Sequence, residues 1–422
     1  MRSVSAIWRE ERDHRNMSVV ETISPCAVDA VAAVRRRRWA GLAFTINFLY
    51  AVYLGGVGVV LEPVGRSFGL GAAAQARLFP AGFSGMVISV LLCGSLSDRF
   101  GRRRVILASA ATYAAGLVLF GRAPVFAAAL AAAALIGAGS GAMQAVVNAT
   151  IAELFAERRE AMVNAAQVAF GIGAMCGPFV AARLVSAGSD WRPLYFGLAA
   201  LVGALTVAIA LAPPLPSAAV SRLDIRFLRS ILAQPAFLNL CVVAALYAGA
   251  EVGFFQWMPS YFHLRLPGGG RWAGIVVTIF WTGMTLGRIA AGGLIGRLRP
   301  LRLRVALAAL GGVCGLGAVS APAPLPTIVF VLLTGCCFGG IFSLILAEAA
   351  ARYPQGTGTA FGGVIAMSGL GTAIIPWAMG TLAGTPLGWR GALALAPVCV
   401  FVVALNGLWT GRRARGDHVL SG

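Results

Sequence analysis

Residues 94–104 read Gly-Ser-Leu-Ser-Asp-Arg-Phe-Gly-Arg-Arg-Arg and stand between two strongly apolar runs, at 78–97 and 105–121. Gly101 permits the tight turn that such a short connection needs. The arginines would hold the loop at the polar surface of a lipid bilayer. This stretch therefore predicts two antiparallel membrane-spanning helices joined by a basic loop.

The composition of the whole chain agrees with a membrane-embedded fold. The 422 residues are 59% hydrophobic and 12% charged, whereas soluble domains average about 45–50% apolar and about 25% charged. The mean hydropathy is +0.82. Apolar runs long enough to span a bilayer recur along the chain. These properties argue against a soluble enzyme, a secreted disulfide scaffold, a transmembrane β-barrel and a nucleic-acid-binding protein.

The apolar runs number twelve, in two sets of six. The first set covers 40–62, 78–97, 105–121, 125–154, 162–187 and 193–212, and the second covers 236–262, 273–295, 304–320, 326–351, 358–384 and 389–410. At about 1.5 Å per residue, each run can cross a hydrocarbon core of about 30 Å. We predict an all-α membrane protein with twelve transmembrane helices in two six-helix pseudo-repeats.

The arginines give the expected orientation of these spans. The formal net charge is +19, and most arginines fall on one side of the predicted spans. The positive-inside rule places that side in the cytoplasm. We therefore expect a multi-pass protein of the bacterial inner membrane with both termini cytoplasmic, whether translation starts at Met1 or at Met17. The predicted segments are a disordered tail at 1–38, a six-helix bundle at 39–212, a cytoplasmic linker at 213–235, a second bundle at 236–411 and a tail at 412–422.

The second half of the chain repeats the first at a fixed offset. The dipeptide Gly-Met at 85–86 recurs at 283–284, and Trp-Arg at 191–192 recurs at 389–390. Both repeats are displaced by 198 positions, since 283 − 85 and 389 − 191 are equal. Parallel six-helix repeats predict a central cavity between the halves and alternating access by rocking of one half against the other.

The loop at 94–104 matches the signature G-x-x-x-D-R-x-G-R-R of the major facilitator superfamily. The chain resembles that superfamily over nearly all of residues 40–410. The resemblance implies an inner gate formed by Asp98, Arg99, Arg102 and Glu153. Gly94 is expected to let helices approach closely. Gly296 replaces the acid in the second half, so this latch is expected in the first half only.

Two neighbouring spans carry amide side chains at lipid depth. They are Gln144 and Asn148 in the fourth span, and Asn164 and Gln167 in the fifth. Amides in membrane helices either face a cavity or hydrogen-bond a neighbouring helix. The pattern resembles the fucose–galactose–hexose permease branch of the superfamily, which implies a sugar site. Gln144 stands where that branch has a glutamate, and the first span lacks an acid at depth, so both positions depart from its proton-coupled members.

Glu251 lies deep in the seventh span, about 22 Å from its inner end at about 1.5 Å per residue. A carboxylate at that depth faces a cavity, binds a partner or carries a proton. Gln256 and Trp257 offer an amide and an aromatic face to a ring-shaped substrate. The alternative for Glu251 is a buried ion pair with Arg288 of the eighth span. The binding and coupling residues predicted in the first and seventh spans are Asn47, Tyr50, Glu251, Gln256 and Trp257.

These observations favour secondary transport of a small organic solute, with a sugar as one candidate, and with a proton or another ion as the coupling species. The alternative is efflux of a drug or metabolite, supported by Gly177-Pro178 in the fifth span. A receptor or scaffold on the same fold is a third hypothesis. We expect a monomer in the lipid bilayer, and neither an enzyme, a metal site, a cofactor nor a nucleic-acid partner.

Overall fold

The computed structural model describes residues 25–186, 190–215, 230–231, 233–294, 297–354 and 357–420. These ranges contain twelve helices that are long and apolar enough to cross a membrane, which confirms the predicted fold class. The helices are α1 (Pro25–Ser67), α2 (Leu78–Phe100), α3 (Arg102–Arg122), α4 (Phe126–Leu154), α5 (Arg159–Ser186), α6 (Arg192–Ala210), α7 (Pro235–Arg265), α8 (Ile275–Leu294), α9 (Pro300–Ser320), α10 (Pro324–Arg352), α11 (Thr357–Ala383) and α12 (Gly388–Leu420).

The first and last helices extend beyond their predicted spans. α1 begins at Pro25, so residues 25–38 are helical rather than part of a disordered tail. α12 continues to Leu420, past the predicted boundary at 411. Alanine and arginine are strong helix formers, so α1 begins before its apolar run and α12 continues after its run has ended. α10 is interrupted between its segments Pro324–Phe338 and Ile341–Arg352 by two glycines, which weaken a helix.

The helices repeat with the same offset as the sequence. Three pairs of helices begin 198 residues apart: α3 and α9 at Arg102 and Pro300, α4 and α10 at Phe126 and Pro324, and α5 and α11 at Arg159 and Thr357. The duplication therefore sets where the helices begin as well as which residues recur.

Glycines let the same helices meet backbone to backbone in each half. A Cβ placed on Gly137 of α4 would lie 1.8 Å from the carbonyl oxygen of Gly82 in α2. A Cβ on Gly335 of α10 would lie 2.4 Å from that of Phe280 in α8. Both members of the second pair stand 198 positions after those of the first. Gly94 differs from its prediction, since a Cβ there would meet nothing within 4 Å.

The two halves, α1–α6 and α7–α12, meet toward one end of the bundle. We call that end the far side, where α1 ends at Ser67 and α7 ends at Arg265. We call the opposite end the terminal side, where α1 begins and α12 ends. The Thr278 hydroxyl of α8 donates to the carbonyl oxygen of Met175 in α5 at 2.9 Å. Thr278 lies in the first turn of α8, so this contact joins the halves near the far side.

A second contact near the far side joins α7 to α1. Gln256 Nε2 donates to the carbonyl oxygen of Leu54 at 3.1 Å. Between described residues on the terminal side, no side-chain hydrogen bond or salt bridge joins the two halves. The described structure therefore has its far side closed.

Candidate functional site

An arginine and a tryptophan share one face of α8. The guanidinium carbon of Arg288 lies 5.9 Å from the centre of the Trp281 ring. Seven residues are about two helical turns, so both side chains project in the same direction. Arg288 is half-buried. Among the described residues it forms no salt bridge, so its charge is available to an anionic ligand.

A row of aromatic rings crosses from one half to the other at this point. Tyr50 of α1 lies 6.1 Å from Phe170 of α5, measured between ring centres. Phe170 lies 5.6 Å from Trp281, which belongs to the other half. Trp281 in turn lies 5.4 Å from Phe255 of α7. The face of α8 that carries Trp281 and Arg288 is therefore directed toward the interface between the halves.

α7 contributes the carboxylate of Glu251. It is half-buried and lies one turn after Tyr247, whose hydroxyl donates to the carbonyl oxygen of Phe338 at 2.7 Å. Arg288 acts on Glu251 electrostatically, but their charged atoms are more than 4.0 Å apart. The alternative of a buried ion pair is therefore not realised in this conformation.

Three amide side chains form a ladder between α1 and α4. Asn47 Nδ2 lies 3.4 Å from Asn148 Oδ1, and Asn148 Nδ2 lies 3.4 Å from Gln144 Oε1. Asn47 also donates to the carbonyl oxygen of Ala43 at 2.9 Å. The buried Gln144 Nε2 has no hydrogen-bond partner in the described part of the chain. A buried amide N–H normally has a partner, so Gln144 can still donate to a ligand.

A cavity of about 270 Å³ lies between the halves and receives side chains from both. Tyr50 and Ser140 line it from the first half, and Val252, Gln256 and Thr372 line it from the second. Gln256 is 1% exposed, and its Oε1 has no partner among the described residues. Gln256 therefore borders the cavity and also belongs to the closed contact with α1.

Trp257 does not line the cavity in the described conformation, so its binding role stays a prediction. Its side chain is 0% exposed, and its indole nitrogen donates to the carbonyl oxygen of Pro376 at 2.8 Å. Its ring packs against Phe79 and Trp389, at 5.8 and 5.5 Å between centres. The sequence shows that Trp257 follows Gln256, but adjacent residues of a helix point about 100° apart. Trp257 therefore packs α7 against its neighbours.

The other amides predicted for the site lie in different environments. Asn47 is 1% exposed and belongs to the ladder rather than to the lining of the cavity. Gln167 is exposed on α5. The side chains of Asn164 and of the gate residue Asp98 lie outside the described residues.

The expected inner-gate residues lie on the terminal side, at the ends of α2, α3 and α4. Arg102 and Glu153 form a two-pronged ion pair with one contact of 2.7 Å, which joins α3 to α4. The guanidinium of Arg99 lies 5.3 Å from the centre of the Phe100 ring. In this conformation the Arg102–Glu153 pair is formed within the first half, so a gating role for it stays a prediction.

The second half has a corresponding charge cluster built from other residues. Arg304 of α9 pairs with Glu348 of α10 at 3.1 Å, and Glu348 also pairs with Arg352 at 2.7 Å. Arg304 is almost fully buried, with a side chain 2% exposed. An ion pair between the ends of these helices is therefore present in both halves. The one-sided latch expected from the sequence concerns Asp98, whose side chain lies outside the described residues, and it stays a prediction.

Trp281 was not predicted from the sequence, and Arg288 was predicted only as a partner for Glu251. The signal was the spacing of seven residues between a tryptophan and an arginine in an apolar span, which places both on one helix face. Their common contact with the first half could not be derived from that spacing.

Comparison with known proteins agrees with this fold. Residues 43–362 match the Major Facilitator Superfamily, to which the chain therefore belongs. The structure also resembles a bacterial homologue of the human lysosomal transporter Spinster in an inward-facing, unoccupied conformation. The TM-score is 0.75, the sequence identity is 14%, and the match covers 90% of this chain and 97% of that one, so this likeness shows a shared fold.

Two curated relatives are named for aromatic acids. The 4-hydroxybenzoate transporter PcaK of Pseudomonas aeruginosa is 26% identical, over 83% of this chain and 86% of the relative. The gentisate transporter of Corynebacterium glutamicum is 24% identical, over 79% of this chain and 77% of the relative. These relatives belong to a different branch from the sugar permeases that the amide pattern resembled. The chain is a multi-pass membrane transporter of small organic solutes and not an enzyme.

Proposed function

We propose that this protein transports a small aromatic carboxylate by alternating access. The observation that carries the proposal is Arg288, a cation outside any salt bridge of the described residues, beside the row of aromatic rings between the halves. A guanidinium suits two-pronged recognition of a carboxylate, and aromatic faces suit an aromatic ring. The names of the two relatives, for 4-hydroxybenzoate and gentisate, support the same substrate class.

A sugar is the competing substrate. Its hydroxyls would suit the amides of Gln144 and Asn148, but a neutral molecule would leave the charge of Arg288 without a counter-ion at the site. A carboxylate compensates that charge, and ring hydroxyls could still reach the amides. We therefore favour the aromatic acid over the sugar. Efflux differs only in the direction of transport, which the experiment below also measures.

We assign Glu251 the role of coupling acid. Arg288 acts on Glu251 electrostatically without a salt bridge. When a substrate carboxylate binds to Arg288, a second negative charge on Glu251 would be repelled, so substrate binding favours the protonated acid. Substrate and proton would then bind together, which is the behaviour of a symporter.

We place the terminal side in the cytoplasm and treat the protein as a monomer of the bacterial inner membrane. The terminal side carries the Arg102–Glu153 pair and the Arg304 cluster, and arginines concentrate at cytoplasmic ends of spans. With this orientation the described conformation is open toward the cytoplasm, and the far side faces outward.

The test is uptake of radiolabelled 4-hydroxybenzoate into proteoliposomes, with fucose and glucose measured in parallel. A charge-assisted hydrogen bond contributes about 1.5–3 kcal/mol, so Arg288→Gln should lower uptake at least about tenfold. The matched control is Arg302→Gln, which removes an exposed arginine near the start of α9. Unchanged uptake by Arg288→Gln, or uptake of the sugars alone, would overturn the proposal. Counterflow in both directions distinguishes import from efflux.

A further inference from the structure

A second cavity, larger than the one of about 270 Å³ between the halves, lies at the far side and does not include Arg288. Its volume is about 550 Å³, within the range of about 300–1,000 Å³ typical of small-molecule sites. It is bordered by the ends of α1 and α5 from the first half, and by the ends of α7 and α8 and the connection between them from the second. Its polar and aromatic lining comprises Glu62, Arg66, Phe179, Arg183, Ser260, His263, Arg271 and Trp272.

The lining of this cavity, which we call the far-side pocket, carries an excess of positive charge. Its one carboxylate, Glu62, pairs with Arg66 at 2.8 Å. Arg271 lines the same pocket, and the described part of the lining holds no second carboxylate to pair with it. Arg183 also lines the pocket, but the charge argument does not depend on it. A concave surface of one charge sign raises the local concentration of ions of the opposite sign. The far-side pocket therefore favours an anion.

The guanidinium of each of these arginines lies close to an aromatic ring. The guanidinium of Arg183 is 5.1 Å from the centre of the Phe179 ring, and that of Arg271 is 5.4 Å from the Trp272 ring. Each arginine thus borders an apolar face that also lines the pocket. An anion with an aromatic ring can contact guanidinium and ring together, whereas a small inorganic anion can contact only the guanidinium.

A buried hydroxyl in the pocket has no partner among the described residues. Ser260 of α7 is 2% exposed, and its Oγ makes no hydrogen bond there. Buried polar groups are satisfied in most proteins, either by protein atoms or by a bound molecule. Because Ser260 lines the pocket, its hydroxyl can donate to an anion held by the arginines.

We propose that the far-side pocket binds an aromatic carboxylate and holds the transporter in the conformation with its far side closed. The pocket is built from both halves, so it exists as one cavity only while the far side is closed. A ligand that binds one conformation better shifts the population toward it. An aromatic acid outside the cell would therefore slow its own transport by occupying a second site. The choice of aromatic acids rests on the proposed function.

The binding test uses benzoate as the probe and thermal stabilisation of the purified protein as the readout. It is made in an Arg288→Gln background, which removes the central arginine. Benzoate should still raise the apparent melting temperature, and the half-saturating concentration should rise at least about tenfold in Arg271→Gln. Ser260→Ala is a milder second variant and should raise it several-fold. Arg390→Gln, which removes an exposed far-side arginine outside the pocket, should change nothing.

The controls decide the chemistry of the ligand. Benzamide, which is neutral, should give no stabilisation, and sulfate should give less than benzoate. Absence of a benzoate effect in the Arg288→Gln background, or an effect that neither Arg271→Gln nor Ser260→Ala weakens, overturns the far-side pocket. Equal stabilisation by sulfate overturns the aromatic part of the proposal. Failure of the proposed function would appear separately, as absent uptake of 4-hydroxybenzoate by the unmodified protein.

Discussion

Arg288 and Trp281 lie two turns apart on one face of α8, with the guanidinium carbon 5.9 Å from the ring centre. This arrangement offers a separate contact to each part of an aromatic acid, because the carboxylate would bind the arginine and the ring would contact the tryptophan. The row of rings from Tyr50 to Phe255 continues that surface into both halves.

The first prediction is that Trp281→Leu weakens the binding of aromatic substrates but not that of acids without a ring. An aromatic pair contributes about 0.5–1.5 kcal/mol beyond its buried area, so the KM for 4-hydroxybenzoate should rise about two- to tenfold. Competition by acetate, which has no ring, should be unchanged because Arg288 is retained. Uptake kinetics in proteoliposomes measure both the KM for 4-hydroxybenzoate and the competition by acetate. The control is Trp377→Leu, which changes an exposed tryptophan of α11. An equal loss for both acids would contradict a ring-binding role.

The second prediction concerns Glu251 as the coupling acid. Glu251→Gln resembles the protonated residue permanently, so exchange of substrate across the membrane should continue. Accumulation driven by a pH gradient should fall to the level without a gradient, because no proton moves with the substrate. Radiolabelled counterflow and gradient-driven uptake distinguish these two activities in one preparation. Gradient-driven accumulation at the unmodified level would remove Glu251 from the coupling mechanism.

The third prediction is that replacing either partner of one ion pair has a different effect on stability. Arg304 is 2% exposed and pairs with Glu348. Glu348→Gln leaves a buried guanidinium without its counter-ion and should cost about 3–5 kcal/mol. Arg304→Met replaces it with an apolar side chain and should be close to neutral, since Glu348 keeps Arg352. Thermal unfolding in detergent measures both variants, and Arg352→Gln serves as the exposed control, expected within about 1 kcal/mol. Equal destabilisation by Glu348→Gln and Arg304→Met would contradict this account.

The fourth prediction tests the glycine contacts that bring α2 and α4 together. Gly137→Ala places a methyl group 1.8 Å from the carbonyl oxygen of Gly82. Since backbone on both sides must move, the variant should lose at least about 1–3 kcal/mol and yield less monodisperse protein by size-exclusion chromatography. Gly94→Ala is the control on α2, where the added methyl group meets nothing within 4 Å. Equal yields of both variants would show that the close contact does not limit folding.

The sequence predicts the fold far better than it predicts the site. Hydropathy locates twelve helices because every span must satisfy its backbone within itself, and the offset of 198 recovers where α3 and α9 begin. Which face of a helix meets the other half depends on packing between distant segments. The sequence alone therefore could not show that Trp257 packs against Pro376 in this conformation, or that Trp281, in an equally apolar span, contacts the first half.

The charge pairs show the same limit in another way. Glu153 and Arg102 were expected in the same inner gate, and the structure pairs them with each other. No motif in the second half predicted the pair of Arg304 and Glu348, because those residues do not occupy positions equivalent to those of Arg102 and Glu153. Contact between two helices can be kept while the residues that make it shift by one turn, and a search at a fixed offset does not find such a shift.

The final prediction concerns the closed far side, which Gln256 and Thr278 help to hold. Each donates one hydrogen bond to a backbone carbonyl of the other half, and such a bond contributes about 0.5–1.5 kcal/mol. Thr278→Val removes the hydroxyl with little change of shape, so the far-side-open population should rise about two- to tenfold. Spin labels at Arg122→Cys and Ser320→Cys, in a cysteine-free background, report the distance between the far ends of α3 and α9 by electron paramagnetic resonance. Thr282→Val is the matched control, because its hydroxyl bonds only within α8. If both variants leave the distance distribution unchanged, the hydrogen bond of Thr278 does not hold the far side closed, and apolar packing alone does.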